Sequence, residues 1–365
     1  MKILILGGTG AMGAPLVDVL KTNGHEIYVT SRKKHDNDKN ICYIMGDAHE
    51  LDFVNSLLIE KYDVIVDFMS YKENEFKERI SLLLNSTDQY VFLSSCRVYA
   101  QSEEKINELS PRLLDTCQDL EYLATSEYAL EKAREENILI NNPKTNWTII
   151  RPTVTYNENR LQLGNLEIQH WLFRALKQRT IVFSEELMNI VTPMTNGRDV
   201  AFALSLLLGN KKALGQIIQI ASPESMCWKD ILKIYVDEIE KYTGIKPKVY
   251  LQKNAHVMAN VLDRKWQLIY NRLYNRVFDS SKVDEISGVK IFYTPIESGI
   301  RECIRKALTE NNMNYNFSGK IEAYFDKITK EYTPISEIKS KKEIIKYIIA
   351  RYTPYLKMKY GRNLN

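Results

Sequence analysis

The stretch KILILGGTGAMG, residues 2–13, decides the fold of this chain. Its apolar run KILIL predicts a buried strand that ends at the glycines. Apolar residues then recur at helical spacing over 11–22, and the Asn-Gly pair that follows predicts the end of that helix. A second apolar strand is expected at 26–30. A strand, a glycine turn, a helix and a strand in immediate succession predict a βαβ unit.

The glycines of this loop have a spacing that is typical of dinucleotide-binding sites. Gly7 permits a tight turn, Gly10 lets the backbone approach a pyrophosphate, and Gly13 lets the helix pack closely on the strand. The helix N-terminus offers N–H groups and a positive dipole end to a phosphate. We therefore predict a dinucleotide site here, whose contacting residues are Gly7, Thr9, Gly10, Ala11, Met12 and Gly13.

Apolar runs alternate with helical stretches through the first part of the chain. Strands are expected at 2–6, 26–30, 41–45, 64–68, 90–93 and 147–150. This alternation predicts a parallel sheet that helices cover on both faces. Right-handed crossovers then make it an α/β fold with a Rossmann-type, doubly wound sheet.

We expect three regions along the chain: a dinucleotide-binding domain at 1–155, a smaller substrate-binding region at 156–330 that returns strands to the sheet, and a basic helical tail at 331–365. The apolar runs at 181–183 and 217–221 predict the strands of the middle region. Its helices are expected near 166–178, 199–209 and 228–243.

Composition excludes several classes of protein. The chain has 365 residues, of which 44% are hydrophobic and 26% charged, a globular balance. It has no uncharged apolar run long enough for a transmembrane helix. Its five dispersed cysteines favour a reducing cytoplasm over a disulfide framework, and its five histidines lack metal-binding spacing, so no metal site is predicted. The net charge of +4 is too small to indicate nucleic-acid binding.

The excess charge is concentrated in the tail. Residues 339–362 contain eight lysines and arginines and one acidic residue. Within them, KKEIIKYIIARY at 341–352 is amphipathic at helical spacing, and its predicted apolar side consists of Ile344, Ile345, Ile348 and Ile349. We expect this helix to dock on the body of the protein or on a partner subunit, with a membrane surface as the alternative.

The end of the second strand predicts which dinucleotide binds. An NAD site usually carries Asp or Glu there for the ribose 2′-hydroxyl, but this chain has TSRKK at 30–34. Arg32 could pair with a 2′-phosphate and Ser31 could donate to it, so we favour NADP(H), with NAD(H) as the alternative. In MGDAH, Asp47 and Ala48 are predicted to contact the cofactor, and Asp47 could accept from the adenine amino group. Alternatively, Asp47 could cap a helix.

Three residues could carry acid–base chemistry. Tyr128 and Lys132 lie four residues apart in a stretch of helix formers, so both occupy one helix face, and the ammonium would favour the phenolate. Ser95 follows the strand at 90–93, at the sheet edge where α/β folds bind ligands. Its hydroxyl could hold a reacting oxygen while Tyr128 transfers the proton.

These motifs resemble those of the extended short-chain dehydrogenase/reductases, in the NAD-dependent epimerase/dehydratase family. The matching pieces cover about residues 1–250 and are GGTGAMG, MGDAH, SSCRVYA, YALEK, TIIRPTVTYNENR and MTNGRDVAFAL. The stretches YDVIVDFMSY and RPTVTYNENRLQ are also similar to the atypical subgroup that includes the chloroplast stem-loop-binding proteins.

The resemblance implies catalytic roles for Ser95, Tyr128 and Lys132. It also implies that Met69 lines the cofactor, that Pro152 and Thr153 pass close to the nicotinamide, and that Tyr128 and Lys132 reach it too. Dehydratases of the family carry Asp-Glu directly after the catalytic hydroxyl. This chain has Cys96 and Arg97 there, which argues against elimination of water.

The expected function is hydride transfer between NAD(P) and a nucleotide-linked sugar, as a 4-keto reductase or an epimerase in polysaccharide precursor synthesis. The alternative is a non-catalytic Rossmann-fold protein that binds a nucleotide or RNA. The presence of all three catalytic residues argues against that alternative, so nucleic acid is not the expected partner. The family fold also implies a homodimer.

Overall fold

The computed structural model describes residues 1–310 and 317–353. In chain order the strands are β1 (Lys2–Leu6), β2 (Glu26–Ser31), β3 (Ile41–Met45), β4 (Tyr62–Asp67), β5 (Thr87–Leu93), β6 (Trp147–Pro152), β7 (Val154–Tyr156), β8 (Ile181–Ser184), β9 (Val191–Thr192), β10 (Met194–Asn196), β11 (Gln216–Ile220), β12 (Met226–Cys227) and β13 (Val249–Gln252).

The helices are α1 (Gly13–Thr22), α2 (Leu51–Leu57), α3 (Glu73–Asn85), α4 (Leu113–Thr116), α5 (Leu120–Leu123), α6 (Tyr128–Ile140), α7 (Ile168–Leu176), α8 (Gly197–Ser205), α9 (Trp228–Thr243), α10 (Ala255–Val261), α11 (Lys265–Gln267), α12 (Ser281–Ser287), α13 (Ile296–Thr309), α14 (Gly319–Thr329) and α15 (Lys341–Tyr352). Short 3-10 turns are formed by Cys96–Val98, Glu185–Leu187, Lys211–Ala213 and Ile335–Glu337, and a π-helical turn by Leu268–Arg272.

A seven-stranded parallel sheet organises the first part of the chain. Its order is β11-β6-β5-β4-β1-β2-β3, so the chain runs outward from β1 to β3 and then crosses back to β4. Every neighbouring pair in the sheet is parallel. The predicted doubly wound Rossmann-type sheet is therefore confirmed, and β1 and β4 are the neighbours at which the winding reverses.

Helices cover both faces of this sheet because each strand sends alternate side chains to opposite sides. Ile3 and Ile5 of β1 join a core cluster with apolar residues of α1 and α8. Leu4 and Leu6 join a second cluster with residues of α3 and α6. Two-sided burial explains why the strands read as unbroken apolar runs in the sequence.

The chain forms two compact units. Unit 1 contains the sheet and consists of 1–157, 192–225 and 275–296. Unit 2 consists of 158–191, 226–274 and 297–365, of which residues 311–316 and 354–365 lie outside the described residues. Within unit 2, β8 and β13 pair in parallel, and Trp171 stacks on Tyr235 with ring centroids 4.3 Å apart.

A buried arginine ties the C-terminal helices of unit 2 together. The Arg174 side chain, on α7, is completely buried. It donates to Asp326 Oδ1 at 2.9 Å and to Glu331 Oε2 at 2.8 Å, and it pairs with Glu322 at 2.5 Å. A buried guanidinium that has several carboxylate partners is costly to disrupt, so this network fixes α14 to α7.

The tail helix has the predicted bounds, but the side that it buries is not the predicted isoleucine side. Tyr347 and Ala350 of α15 are buried, and they pack with Ala323 of α14. Ile344 is partly buried there, whereas Ile345, Ile348 and Ile349 are exposed. Tyr347 is buried in place of the isoleucines because its hydroxyl donates to Asp326 inside the unit, at 2.7 Å.

Among residues 1–310 and 317–353, no helix is long and apolar enough to cross a membrane.

Candidate active site

The glycine loop between β1 and α1 is held in place by contacts with Thr30 and Met69. Gly7 has φ of +71°, a left-handed conformation that favours glycine, and its N–H donates to Thr30 Oγ1 at 2.9 Å. A Cβ on Gly7 would lie 2.8 Å from Sδ of Met69, so the Met69 side chain lies against the loop. The structure thus places the Met69 side chain against the glycine loop.

The loop is tightly packed at Gly13 but open to solvent at Gly10. A Cβ on Gly13 would lie 2.5 Å from the Gly8 carbonyl oxygen, so the helix is pressed against the turn. A Cβ on Gly10 would meet no heavy atom within 4 Å, and Thr9 and Gly10 are exposed. The backbone at Gly10 is therefore free to approach a pyrophosphate, which fits a dinucleotide cofactor.

Gly197 packs directly against the backbone of the glycine loop at Ala11. The sequence analysis did not identify this residue. It is the first residue of α8, and a Cβ there would lie 2.3 Å from the carbonyl oxygen of Ala11. Asn196 caps this helix by accepting from the N–H of Arg198. The sequence alone does not mark Gly197, since an Asn-Gly pair before a helix is also an ordinary turn.

The basic segment after β2 is exposed. Arg32, Lys33 and Lys34 all face solvent. The Ser31 hydroxyl, the predicted phosphate donor, lies 3.0 Å from Nε2 of His35 and accepts from the Lys33 N–H at 3.2 Å. Ser31 therefore stabilises the turn. Of the two residues predicted to contact a 2′-phosphate, Arg32 is the one that is exposed to solvent.

The loop after β3 is held by an arginine that sequence reasoning missed. Asp47 accepts from the His49 N–H at 3.0 Å, so it closes a turn ahead of α2. Arg79, on α3, donates at 2.9 Å to the carbonyl oxygens of both Ala48 and His49. Its guanidinium also lies 4.3 Å from the ring centroid of Tyr71. The carbonyl oxygen of Ala48 thus accepts a hydrogen bond from Arg79 within the protein.

Tyr128 and Lys132 lie on one face at the start of α6. Tyr128 is the first helical residue, and its side chain is 36% exposed. Lys132 is buried, and its ammonium donates to the Met69 carbonyl oxygen at 2.9 Å and to Glu135 Oε2 at 3.0 Å. Both residues line a cavity of about 310 Å³, together with Ser70 and Glu131.

Ser95 follows β5 and is linked to Tyr128 through Arg97. The Ser95 hydroxyl accepts from the Arg97 N–H at 3.2 Å and is almost buried. The Arg97 guanidinium lies 5.1 Å from the ring centroid of Tyr128 and forms an ion pair with Glu127, the N-cap of α6. Both candidates therefore lie beside one arginine, which sequence reasoning had treated only as a departure from the dehydratases.

A buried network fixes the elements that carry these residues. Glu136 of α6 accepts from Arg151 of β6 through both oxygens, at 2.8 and 2.7 Å. It also accepts from Ser94, directly after β5, and from Arg112 at 3.1 Å. Bidentate arginine–carboxylate contacts are geometrically specific, so α6 is held in register with the ends of β5 and β6.

Two buried carboxyl groups surround Lys132. Asp67, at the end of β4, accepts from the Tyr90 hydroxyl at 2.8 Å and from the Met69 N–H at 2.9 Å, and burial raises its pKa. Burial also raises the pKa of Glu135 to about 7, against the opposing effect of the Lys132 charge. The positive charge of Lys132 is thus balanced by buried carboxyl groups, and Glu135 titrates near neutral pH.

A signal in the sequence could have found one of these groups. Asp67 is the last residue of the strand YDVIVD and directly follows its apolar run VIV, and a carboxyl at the carboxyl end of a buried strand commonly has a specific role. Glu135 carried no such signal, because a glutamate in a helix with many charged residues reads as solvated. Its burial is decided by the packing of α6 on the sheet.

Pro152 and Thr153 lie at the carboxyl end of β6. The Thr153 N–H donates to the Ile220 carbonyl of β11 at 3.3 Å, and its hydroxyl lies 2.7 Å from that of Thr195. Both predicted residues are thus in unit 1, at the sheet edge that also presents the glycine loop, the end of β4 and Ser95. Cys96 is buried in an apolar cluster with Val98 and Tyr99.

Within 1–310 and 317–353, no group of three or more His, Cys, Asp or Glu side chains is arranged to hold a metal ion.

Comparison with known families gives one match that spans more than half of the chain. The NAD dependent epimerase/dehydratase family matches residues 3–221. The chloroplast stem-loop binding protein of 41 kDa b from Arabidopsis thaliana is 27% identical over 249 residues, which are 64% of this chain and 61% of that protein. The chain therefore spans less than two thirds of the length of this relative.

Solved structures share the fold at low sequence identity. MoeE5 in complex with UDP-glucuronic acid and NAD has a TM-score of 0.64 at 15% identity, over 84% of this chain and 100% of its own. UDP-glucuronic acid 4-epimerase from Bacillus cereus in complex with NAD has a TM-score of 0.63 at 14% identity, over 87% and 100%. At these identities the likeness concerns the fold.

Proposed function

This chain belongs to the NAD-dependent epimerase/dehydratase family, and from that membership we propose that it is an NAD(P)-dependent oxidoreductase acting on a nucleotide-linked sugar, of the epimerase or 4-keto reductase type. The observation that carries the proposal is the placement of Tyr128 and Lys132 on one cavity, with the Lys132 ammonium hydrogen-bonded to the loop of Met69. Supporting context comes from two fold relatives that were solved with NAD bound, one of them also with UDP-glucuronic acid.

The dinucleotide would be held by the sheet edge of unit 1. The open backbone at Gly10 would face the pyrophosphate, and Arg32 would face the adenosine ribose. Lys132 and Tyr128 would reach the nicotinamide end, with Met69, Pro152 and Thr153 nearby. When bound, the nicotinamide supplies the acceptor and donor of a hydride. We favour NADP(H) because the segment after β2 carries exposed basic residues and no carboxylate before Asp36.

The protein itself supplies proton transfer and orientation. The Tyr128 hydroxyl has no hydrogen-bond partner among the described residues, so it is available to a sugar hydroxyl. Lys132 lies one helical turn further along α6, on the same face as Tyr128. Ser95 would hydrogen-bond the reacting oxygen while Tyr128 takes or returns the proton. Arg97 and Glu127 would position the Tyr128 ring.

Elimination of water is not part of the proposal. The two positions after Ser95 would have to supply an acid and a base for it. Cys96 is instead buried in an apolar cluster, and Arg97 is paired with Glu127. Tyr128 is therefore the proposed proton-transferring residue of the described site, and one such residue is sufficient for oxidation and reduction at a sugar carbon.

One experiment tests this function directly. The purified protein is denatured, and any released dinucleotide is identified by mass spectrometry. The native protein is then incubated with NAD(P) and UDP-hexoses or UDP-hexuronic acids, with chromatographic detection of epimers. Release of NADP(H) supports our cofactor assignment, whereas tightly held NAD⁺ would contradict it and favour an epimerase. Absence of dinucleotide binding, with no conversion of any nucleotide sugar, would overturn the proposal.

RNA binding is the second candidate, and one observation favours it: the 27% identical relative is named as a stem-loop binding protein. A stem-loop RNA should then bind with an affinity that falls steeply as salt rises. RNA binding without dinucleotide binding or turnover would favour this candidate over the oxidoreductase.

Cytoplasmic location and a homodimer also remain part of the proposal. Dimerisation is measured by sedimentation of the purified protein over a range of concentrations, and a monomer throughout would contradict it.

A further inference from the structure

The tail helix α15 exposes a continuous apolar stripe. Ile345, Ile348, Ile349 and Tyr352 are spaced i, i+3, i+4 and i+7, so they lie in one row along the helix. Their side chains are 41–74% exposed, although the opposite side of the helix is packed through Tyr347 and Ala350. Single exposed apolar residues are ordinary, but a row of four large ones on one helix marks an interaction site.

The same face is basic. Lys341, Lys342 and Lys346 are exposed on it. The carboxylate of this helix, Glu343, is turned inward, where it accepts from the Gly319 N–H at 2.8 Å and pairs with Lys346. Beyond the described part of the chain, the sequence continues with three more basic residues and no acidic one. The exposed face thus combines isoleucines with the charges of Lys341 and Lys342, which form no ion pair among the described residues.

Neighbouring acidic groups of unit 2 do not offset this charge. Glu331 accepts from Thr180 and pairs with Arg174 at 2.8 Å, and Glu337 pairs with Arg179 at 2.8 Å. Their charges are balanced by buried or nearly buried arginines. An apolar row with lysines beside it, on a helix that is anchored to a folded body, has the composition of an interfacial membrane helix.

We propose that the exposed face of α15 docks on an anionic lipid surface. The stripe of Ile345, Ile348, Ile349 and Tyr352 would enter the boundary between headgroups and acyl chains, and the lysines would lie among the headgroups. The helix would lie in the plane of the surface. This inference is independent of the catalytic function.

Two other occupants fit the face less well. RNA is recognised by arginines and by aromatic rings that stack on bases, and three of the four residues of the stripe are isoleucines, which cannot stack. A second copy of the chain, docked symmetrically, would bring the same lysines of both copies together, since a two-fold interface pairs one patch with itself.

Vesicle sedimentation tests the proposal with the full chain. The protein is centrifuged with vesicles of phosphatidylcholine that contain phosphatidylglycerol, and with vesicles of phosphatidylcholine alone. We expect sedimentation with the anionic vesicles, weakened by added salt because the lysines contribute through screened charge. Equal and weak recovery with both kinds of vesicle would overturn the proposal.

Variants separate the two parts of the contact. The double change Ile348→Ser and Ile349→Ser should weaken binding by about tenfold or more, since two buried isoleucines are lost. Lys341→Ala and Lys342→Ala should each weaken it about fivefold, on the anionic vesicles only. The matched control is Ile59→Ser, an isoleucine that is even more exposed but lies in unit 1, and it should change nothing.

The other occupants give distinct results. A concentration-dependent dimer that the isoleucine variant abolishes, without vesicle binding, would assign the face to a second copy and contradict the lipid proposal. RNA binding that the lysine variants weaken, but the isoleucine variant leaves intact, would contradict it as well. Because all substituted side chains are exposed, circular dichroism and thermal unfolding should match the wild type.

Discussion

The ammonium of Lys132 lies 3.0 Å from the carboxylate of Glu135, and both side chains are buried. The second oxygen of that carboxylate, Oε1, is buried without a hydrogen-bond partner among the described residues. A buried carboxylate with one free oxygen is only partly compensated, which is why burial raises its pKa to about 7 despite the lysine. The charge beside the candidate catalytic lysine therefore changes close to neutral pH.

Glu135 should make the stability of the protein depend on pH. A carboxyl whose pKa is raised on folding contributes stability below its unfolded pKa, and this contribution is lost as the pH rises through its folded pKa. For Glu135 the window runs from 4.5 to about 7. The difference corresponds to about 3 kcal/mol of unfolding free energy.

Glu135→Gln should remove this dependence, because glutamine does not titrate. Its unfolding free energy relative to the wild type should rise by up to about 3 kcal/mol as the pH goes from about 4.5 to about 8. Guanidinium unfolding across this range measures it, with the exposed Glu78→Gln as the control. Parallel curves for variant and wild type would show that Glu135 does not titrate in this window.

Tyr128→Phe should abolish turnover but spare cofactor binding. The change removes only the hydroxyl that transfers the proton, so the rate should fall by about 10²-fold or more, the usual scale of acid–base catalysis. Product formation and cofactor titration are measured on the same preparation. The control is Tyr242→Phe, at an exposed tyrosine of α9. Near-normal turnover of the Tyr128 variant would remove it from its proposed role.

Arg32→Ala should weaken NADP⁺ binding selectively. A charge-assisted contact with the 2′-phosphate is worth about 1.5–3 kcal/mol, so the dissociation constant should rise by about tenfold or more. Binding of NAD⁺, which lacks that phosphate, should stay nearly unchanged. Calorimetric titrations with both dinucleotides check this, beside a Lys34→Ala control. Equal effects on the two dinucleotides would contradict the assignment of Arg32.

Two glycines of one loop should respond differently to the same change. Gly10→Ala places its methyl group in open space, so the unfolding free energy should hardly change while dinucleotide binding is lost. Gly13→Ala forces a methyl group to within 2.5 Å of the Gly8 carbonyl oxygen and should destabilise the fold by about 1–3 kcal/mol. Thermal unfolding and dinucleotide titration distinguish the two. A stable Gly10 variant that binds normally would place the pyrophosphate elsewhere.

Much of the fold could be predicted because its signals are local. The strand at 41–45 and the helices at 228–243 and 341–352 have the predicted bounds, since periodicity and chain-breaking residues define them directly. Most other predicted elements differ at their ends by a few residues. The helix expected at 11–22 begins two residues later than predicted, at Gly13, and Met12 is its N-cap.

The identity of buried faces was less predictable. Four isoleucines made one side of α15 look apolar, but the helix buries Tyr347 and Ala350 instead. Hydrophobicity alone favoured the isoleucines. A hydrogen bond from Tyr347 to a carboxylate on α14, 21 residues away in sequence, decided the outcome, and no local pattern contains that information.

The amino-acid sequence by itself determined the order of elements, the glycine loop and the candidate residues Ser95, Tyr128 and Lys132, because strand periodicity, turn chemistry and motif spacing are properties of neighbouring residues. Only the tertiary structure decided the partners of these residues: Arg97 between Ser95 and Tyr128, Glu135 on Lys132, and Gly197 against the glycine loop. Such contacts join segments that only the assembled sheet brings together, and burial there changes the charge and pKa of groups that look ordinary in the sequence.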